Sequence, residues 1–449
     1  MVTTRIALDG ALTIAGADSA LAAIIRADNT YPNPAFQEAR RQGRYAEHLP
    51  STIATYREFG DTLILPRGYL GDLLQERPAL LSALTDHRTE SVVDFPVLGA
   101  VLRGYQETAM ASAIKREQGV IQAPTGAGKT LIGLELIRRR SQRALVLVHN
   151  NELARQWSGA IERFMGFTPG VIGDGKWKEG DRITVATLQT LHRNQERVSE
   201  SAENYGLVLT DECHHIPSRT FADVMLGLPC RYRYGLSATI HRRDGLHQLI
   251  NRVIGRTIAQ ISPEEVEDVG GIVPAQIKVV PTGFEPCDVD GWTELLDKIV
   301  QSPDRNRVVA DWASRAAGYA PTLVLVDRID HAESLARLCS VPALVAHGQL
   351  SKKERKRVFE AMPDAPLTIG TTGLLGEGLD ISRWSVLVLA TPISGRVKLL
   401  QAIGRIIRPH PGKKNGLVID LVDQHAIALA CFRKRREIYV ERGYWREAA

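Results

Sequence analysis

Cysteine is scarce in this chain: five in 449 residues, Cys213, Cys230, Cys287, Cys339 and Cys431. The number is odd and no two stand as Cys-x-x-Cys. That argues against a disulfide framework or a zinc site and for a reducing compartment. Long apolar runs are also missing, and none is long enough to cross a bilayer. The one N-terminal apolar stretch, Leu12 to Ile25, is broken by Asp18 and lacks a basic leader and a cleavage site. A signal peptide is therefore not expected, and a cytoplasmic location is. A large excess of charge of one sign is missing too, with 56 basic against 51 acidic residues. The net +5 permits a nucleic-acid partner without demanding one. What is present is an ordinary globular composition, 44% hydrophobic and 24% charged. The length suggests about three domains, each able to bury its own core.

The rhythm of the chain changes along its length. In residues 1–95, two short apolar runs flank Asp9-Gly10 at hairpin spacing. A helix is expected over Ala17–Arg26, a strand ending in a turn over 61–68, and a helix over Tyr69–Gln75. This reads as a small α+β accessory domain. From 96 to 262, short apolar runs alternate with helical segments. The expected strands are Gly119–Gln122, Ala144–His149, Ile183–Thr187, Leu207–Thr210, Tyr232–Ser237 and Thr257–Ile261. A polar linker is expected over 263–275. A second α/β series fills 276–449, with strands at Thr322–Val326, Ala343–Ala346, Leu367–Gly370, Ser385–Ala390 and Gly416–Asp420. Buried runs alternating with helices imply parallel sheets covered on both faces. No sequence repeat links the two series, so their likeness is one of architecture.

Two segments carry legible chemistry. Ala123-Pro124-Thr125-Gly126-Ala127-Gly128-Lys129-Thr130 follows an apolar run and opens a helix, the context a phosphate loop requires. Gly126 and Gly128 let successive N–H groups turn toward one anion, and the new helix adds its positive end. Lys129 is placed to reach the β- and γ-phosphates of ATP, and Thr130 to ligate Mg2+. The second segment, Asp211-Glu212-Cys213-His214, ends the buried run Leu207–Thr210, where ligands sit in open α/β sheets. Asp211 suits Mg2+, held through a water, and Glu212 suits a base that orients and deprotonates the attacking water. His214 and His215 raise a metal reading, but no further ligand stands near them in sequence. Coupling of ATP to domain movement is the preferred reading.

From Leu102 onward the chain resembles superfamily-two helicases of the DExH kind. Arg103-Gly104-Tyr105-Gln106 is similar to the family's adenine-contacting segment, which implies that Arg103 and Gln106 bind the nucleotide base. Residues 123–130 resemble motif I and 211–214 motif II. The run from Leu147 to Trp157 resembles motif Ia, and Thr187-Leu188-Gln189-Thr190-Leu191 the next strand-binding motif. Gly235-Leu236-Ser237-Ala238-Thr239 resembles motif III, which implies coupling roles for Ser237 and Thr239 beside His214. Leu323–Arg328 resembles motif IV. Gly376-Glu377-Gly378-Leu379-Asp380 resembles motif V, placing Glu377 and Asp380 near the nucleotide. Gln401-Ala402-Ile403-Gly404-Arg405-Ile406-Ile407-Arg408 resembles motif VI. The closer likeness is to the XPB-like and phage UvsW-like group. It rests on the segment Thr239–Asp244, on 390–397 leading into motif VI, and on Asn33–Phe36 with Leu65–Gly68. In the first of these Arg243 stands where that group has Glu.

On a continuous helix Gln401, Arg405 and Arg408 would share one face. A second domain carrying them could close over ATP and neutralise charge on the γ-phosphoryl. A motor of this kind holds phosphates rather than bases. The candidate holders are Arg155, Thr187, Gln189, Arg328, Thr371 and Thr372, with Arg242 and Arg243 after motif III. Lys176-Trp177-Lys178 reads either as a base-stacking element or as a loop with an anchoring Trp. Lys352–Arg357 reads as a solvated helix face capped by Ser351, and Arg433–Arg436 as a further cationic run.

The expected fold is therefore α/β: two RecA-like parallel-sheet domains in tandem behind a small N-terminal α+β domain, with no large thumb between them. The resemblance implies an ATP- and Mg2+-dependent DNA helicase, 3′–5′ in polarity, acting on single-stranded, forked or branched DNA. The competing expectations are a duplex-pumping motor of a defence complex, an RNA helicase and a scaffold. The last would show decay at Lys129, Glu212, Arg405 or Arg408, and all four are intact.

Overall fold

The structure, a computed structural model, describes residues 4–41, 43, 45–215, 219–238, 247–375 and 381–445. The chain forms two compact units: Met1–Pro124 with Gly128–Ser262, and Thr125–Ala127 with Pro263–Ala449. Among the described residues no helix is long and apolar enough to cross a membrane.

The first unit begins with an N-terminal layer. Its elements are β1 (Arg5–Leu8), β2 (Ala11–Ala15), α1 (Ser19–Asp28), β3 (Thr30–Pro32), α2 (Pro34–Arg41), β4 (Thr52–Ala54), β5 (Arg57–Phe59), β6 (Thr62–Pro66), α3 (Leu70–Glu76) and β7 (Leu84–Asp86). Asp9-Gly10 does turn β1 into β2, with Leu8 facing Leu12. The sheet runs β5-β6-β2-β1-β7. Alternation puts Ile6, Leu8, Leu12, Ile14, Leu63 and Leu65 on one face, which buries Leu21 and Ile25 of α1. Asp18 caps α1 by accepting the Leu21 N–H at 2.7 Å.

This layer has its own core, yet it is fastened to the sheet that follows. That sheet is built from α4 (Gly104–Ala113), β8 (Gln118–Gln122), α5 (Lys129–Arg140), β9 (Ala144–Val148), α6 (Asn151–Met165), β10 (Gly170–Gly173), β11 (Lys176–Lys178), β12 (Ile183–Thr187), α7 (Leu188–Arg193), α8 (Gln195–Ser201), β13 (Leu207–Thr210), α9 (Arg219–Leu226), β14 (Tyr232–Ser237), α10 (His247–Val253) and β15 (Thr257–Gln260). Its strand order is β11-β10-β12-β9-β13-β14-β8-β15, parallel apart from β11. Two buried arginines bind the layer to it. Arg67 donates to the Cys230 carbonyl at 2.5 Å and to the Arg231 carbonyl at 3.0 Å. Arg233 donates to the carbonyls of Gly10, Met225, Leu228 and Val253 at 2.8–3.0 Å. The backbones come so close that a Cβ on Gly68 would lie 2.3 Å from the Asn251 carbonyl oxygen. A Cβ on Gly10 would lie 2.3 Å from that of Leu226. Arg252 adds an ion pair to Asp72 and lies over the Tyr69 ring, 4.7 Å from its centroid.

The second unit holds α11 (Pro263–Asp268), β16 (Ala275–Pro281), α12 (Trp292–Gln301), α13 (Pro303–Tyr319), β17 (Thr322–Val326), α14 (Ile329–Leu338), β18 (Ala343–Ala346), α15 (Lys352–Ala361), β19 (Leu367–Thr371), α16 (Thr372–Leu375), β20 (Val386–Leu389), α17 (Arg396–Ile406), β21 (Gly416–Val422) and α18 (Ala426–Glu441). All six strands are parallel, in the order β16-β21-β20-β17-β19-β18. Two aspartates around the end of β21 anchor the helices. Asp423 pairs with Arg305 of α13 at 2.7 Å, both side chains fully buried. Asp420 takes two bonds from Arg435 of α18, at 2.8 and 2.9 Å, and one from the Tyr439 hydroxyl at 2.8 Å.

Three stretches left open or read coarsely in the sequence take definite form here. The polar stretch after residue 262 is not plain linker, because α11 forms within it. Lys176-Trp177-Lys178 is strand β11, with Trp177 packed on the core and Arg197 4.2 Å from its ring centroid. Its ring face is thus covered rather than offered to a base. The cationic run in α18 is not uniform either, since Arg435 is buried in its pairing with Asp420.

Candidate active site

Three neighbouring parallel strands, β13, β14 and β8, end on the same side of the first sheet. β8 delivers the phosphate loop. Gly126 (φ 89°) and Gly128 (φ 76°) both take the left-handed backbone that glycine favours, and Gly128 caps α5. A Cβ on Gly128 would stand 2.6 Å from Gln106 Nε2, so the glutamine side chain closes over the loop. Gln106 is itself fixed at the start of α4, where its Oε1 accepts the Arg103 N–H at 2.8 Å. Arg103 is exposed at the same helix end, while Pro124, Thr125 and Ala127 complete the loop and Thr130 lies in the first turn of α5.

β13 delivers the two carboxylates. Glu212 sits at φ 47°, a conformation a non-glycine residue rarely holds and one found where backbone strain serves a site. Its Oε1 lies 3.4 Å from Lys129 Nζ, which also reaches toward the Ala123 carbonyl at 3.5 Å. Asp211 is 8% exposed. Its Oδ2 accepts the Trp157 Nε1–H at 2.8 Å and its Oδ1 accepts the Glu212 N–H at 2.9 Å. Burial and the neighbouring Glu212 carboxylate raise its pKa, while Lys129 and the indole N–H act against that rise. β14 delivers Ser237. His214 Nδ1 stands 2.9 Å from Ser237 Oγ and 3.2 Å from Glu212 Oε2, so one imidazole joins the ends of two strands.

This donor set suits magnesium and a nucleoside triphosphate. Thr130 and Asp211 offer hard oxygens, Lys129 offers a cation where phosphate charge would fall, and the two left-handed glycines add no side chain of their own to the loop.

The candidate strand holders gather at strand ends within each unit. In the first, Gln189 Nε2 donates to the His149 carbonyl at 2.8 Å, tying the ends of β12 and β9. Arg155 is exposed and pairs with Glu152 at 2.7 Å. Thr187 departs from expectation: it is 4% exposed, and its hydroxyl pairs with that of Thr190 at 2.8 Å. In the second unit, Thr371 ends β19 opposite Val326 of β17. The Thr372 hydroxyl donates to Asp327 at 3.0 Å, and Arg328 pairs with Asp297 at 2.7 Å.

Motif VI is only partly helical. Gln401 and Arg405 lie one turn apart in α17, with Arg405 6% exposed. The helix ends at Ile406 with Ile407 as its C-cap, so Arg408 lies beyond it. Pro409 explains the stop, because helical geometry is disfavoured for the residue before proline. Thr239, Arg242, Arg243, Glu377 and Asp380 lie outside the described residues. Two features of the site escaped the sequence reading: the indole on Asp211 and the strained backbone of Glu212.

Comparison with known families bears on this arrangement. Residues 100–242 match the family described as type III restriction enzyme, res subunit, and residues 308–410 match the helicase conserved C-terminal domain. The two spans take in more than half of the chain.

The chain is a superfamily-two helicase.

The helicase is 24% identical to probable helicase D10 of Escherichia phage T5, over 80% of each chain. It is 28% identical to the DNA 3'-5' helicase XPB of Kineococcus radiotolerans, over 78% of its own length and 65% of that protein's, just under two thirds. It thus falls with the XPB and phage helicases. A structure of S. cerevisiae Dbp5 bound to RNA and ADP BeF3 shares the fold, at 18% identity and a TM-score of 0.56, covering 76% of this chain and 88% of that one. The sheets are accordingly two RecA-like domains in tandem. The helicase is an ATP-hydrolysing enzyme that acts on nucleic acid.

Proposed function

We propose that the helicase hydrolyses ATP with Mg2+ to unwind or remodel DNA, in the 3′–5′ sense, with forked or branched DNA as its substrate. The observation that carries the reading is the chain of contacts Lys129–Glu212–His214–Ser237 at the ends of β8, β13 and β14. In it the carboxylate of Glu212, a residue with a strained backbone, faces the phosphate-loop lysine and touches the residue that reaches motif III. Lys129 steadies the β- and γ-phosphates. Glu212 accepts the proton of the attacking water, and its contact with His214 couples that event to β14. Thr130 and Asp211 are assigned to magnesium, which when bound with the nucleotide would offset charge on the phosphoryl oxygens. Gln106 and Arg103 are assigned to the base. Arg405 and Arg408 are assigned to the γ-phosphoryl, with Gln401 beside them.

DNA as the track is supported by the name of the XPB relative, a DNA 3'-5' helicase. We assign strand contact to Gln189, Arg155, Arg328, Thr371 and Thr372, and substrate choice to the accessory layer of residues 1–95. The cytoplasm of a bacterium or of a phage-infected host is the proposed location, in keeping with the phage T5 relative.

A second reading, translocation on duplex DNA without strand separation, is favoured by the res-subunit match over 100–242. Stimulation of ATP hydrolysis is measured with single-stranded, duplex, forked and four-way DNA and with RNA. Strand-displacement and triplex-displacement assays are run beside it. The first reading expects the greatest stimulation by forked or four-way DNA together with strand displacement. Triplex displacement alone supports the second, and stimulation by RNA alone overturns both.

A further inference from the structure

Trp157 occupies an unusual place for a core aromatic. It is 1% exposed, in α6, and its ring packs against α5: a Cβ on Gly133 would lie 2.7 Å from Trp157 Cη2. A glycine in mid-helix costs stability relative to alanine, so Gly133 marks a position where space for the ring outweighs helix propensity. A buried indole needs an acceptor for its N–H, and any nearby carbonyl would serve. Here the acceptor is instead Asp211 Oδ2, at 2.8 Å.

We propose that Trp157 is a positioning residue that sets the orientation of the Asp211 carboxylate for the magnesium of the bound nucleotide. The proposal rests on the reading of Asp211 as the magnesium-side carboxylate. A carboxylate at a strand end can turn about its last side-chain torsion, a broad and soft one. Two donors hold this one: the indole on Oδ2 and the Glu212 N–H on Oδ1, at 2.9 Å. Each oxygen keeps a second lone pair, so a fixed plane still presents acceptors to a metal-bound water. Losing the indole N–H leaves one donor, on the adjacent backbone, and frees the plane to rotate.

The test uses the full chain. Trp157→Phe removes the N–H and retains an aromatic ring. Replacing Trp157 by its benzothiophene isostere removes the N–H with the bicyclic shape intact, which covers a failure of the phenylalanine variant to fold. Two readouts are taken: the Mg2+ concentration that half-saturates ATP hydrolysis, and equilibrium binding of a non-hydrolysable fluorescent ATP analogue with Mg2+ and with EDTA. The expected result is an increase of about tenfold in the Mg2+ requirement of both variants, the lower end of what loss of a ligand-orienting partner costs. Binding in EDTA stays within about twofold of the parent, on the same reasoning that the bond serves the metal-side carboxylate. Unchanged Mg2+ dependence overturns the proposal, as does an equal loss of binding in EDTA, which would make Trp157 a packing residue. Asp211→Asn separates the two layers of inference. If it raises the Mg2+ requirement while the indole variants do not, only the role of Trp157 fails. If it leaves the requirement unchanged, the reading of Asp211 fails and the proposal falls with it.

Discussion

His331 offers a quantitative check on the packing of the second unit. It lies in α14 with no measurable exposure. Its Nε2–H donates to Asn306 Oδ1 at 3.0 Å, since the Asn306 amide nitrogen is spent on the Val300 carbonyl at 2.8 Å. Its Nδ1 is buried and has no hydrogen-bond partner. A second proton would have to sit there, out of water and near the Arg305 guanidinium. Burial first, and Arg305 second, push the pKa down to about 3 from the ordinary 6.5. Because the folded value is the lower one, the unfolded chain takes the proton first. The contribution is whole above pH 6.5 and is lost as pH falls toward 3. At about 1.4 kcal/mol per pH unit, some ~2 kcal/mol goes between pH 7 and pH 5. His331→Gln keeps a donor for Asn306 and cannot take the proton. Urea unfolding followed by circular dichroism at pH 7 and pH 5 gives the comparison. The parent should lose about 2 kcal/mol more than the variant over that interval. A difference in pH sensitivity below roughly 0.5 kcal/mol, the scale of an ordinary surface change, would refute a neutral buried imidazole.

Two other outcomes follow from the site and the core. Lys129→Ala lowers ATP turnover by roughly 10²–10³-fold or more, whereas Glu212→Gln binds ATP and stalls, as read by filter binding beside phosphate release; normal turnover in either variant refutes the site assignment. Arg435→Met leaves Asp420 buried with its cationic partner removed and only the Tyr439 hydroxyl donating to it, and costs about 3–5 kcal/mol in thermal or urea unfolding. The nearby exposed Arg433→Met should stay within about 0.5 kcal/mol, and equal effects would refute the distinction drawn within this cationic run.

The parts of the fold that were legible in sequence are those governed by local pattern. The strands behind the phosphate loop and the acidic pair have short apolar centres buried on both faces, and they form where expected. β16 was not anticipated because it is an edge strand. Gln276 and Lys278 alternate with half-buried Ile277 and Val279, which breaks the apolar run that marks its neighbours. α17 ended early because Pro409 acts on the residue before it, a local rule that a face-sharing argument over Gln401, Arg405 and Arg408 passes over. Nothing in the local sequence marks Arg67, Arg233 and Arg435 as buried. Their burial depends on carbonyls and a carboxylate brought from elsewhere in the chain, and no window of sequence holds that information. The bond from Trp157 to Asp211 spans 54 residues and is hidden for the same reason. Only Gly133, an odd choice in the middle of a helix, hints at the ring it accommodates.

The seam between the N-terminal layer and the first sheet decides what kind of accessory element the layer is. A tethered module swings on a linker and samples many orientations. Here the Arg67 and Arg233 guanidiniums are buried in carbonyl oxygens from both sides of the seam, and Gly10 and Gly68 leave no room for a side chain between the backbones. The layer is therefore keyed to the sheet like a handle cast with its blade. Deleting it would not release a clean motor but would open a wound, with the Arg233 guanidinium robbed of the Gly10 carbonyl and the Cys230 and Arg231 carbonyls robbed of Arg67. If the layer chooses the substrate, as proposed, this seam leaves no swinging linker between that choice and the first sheet.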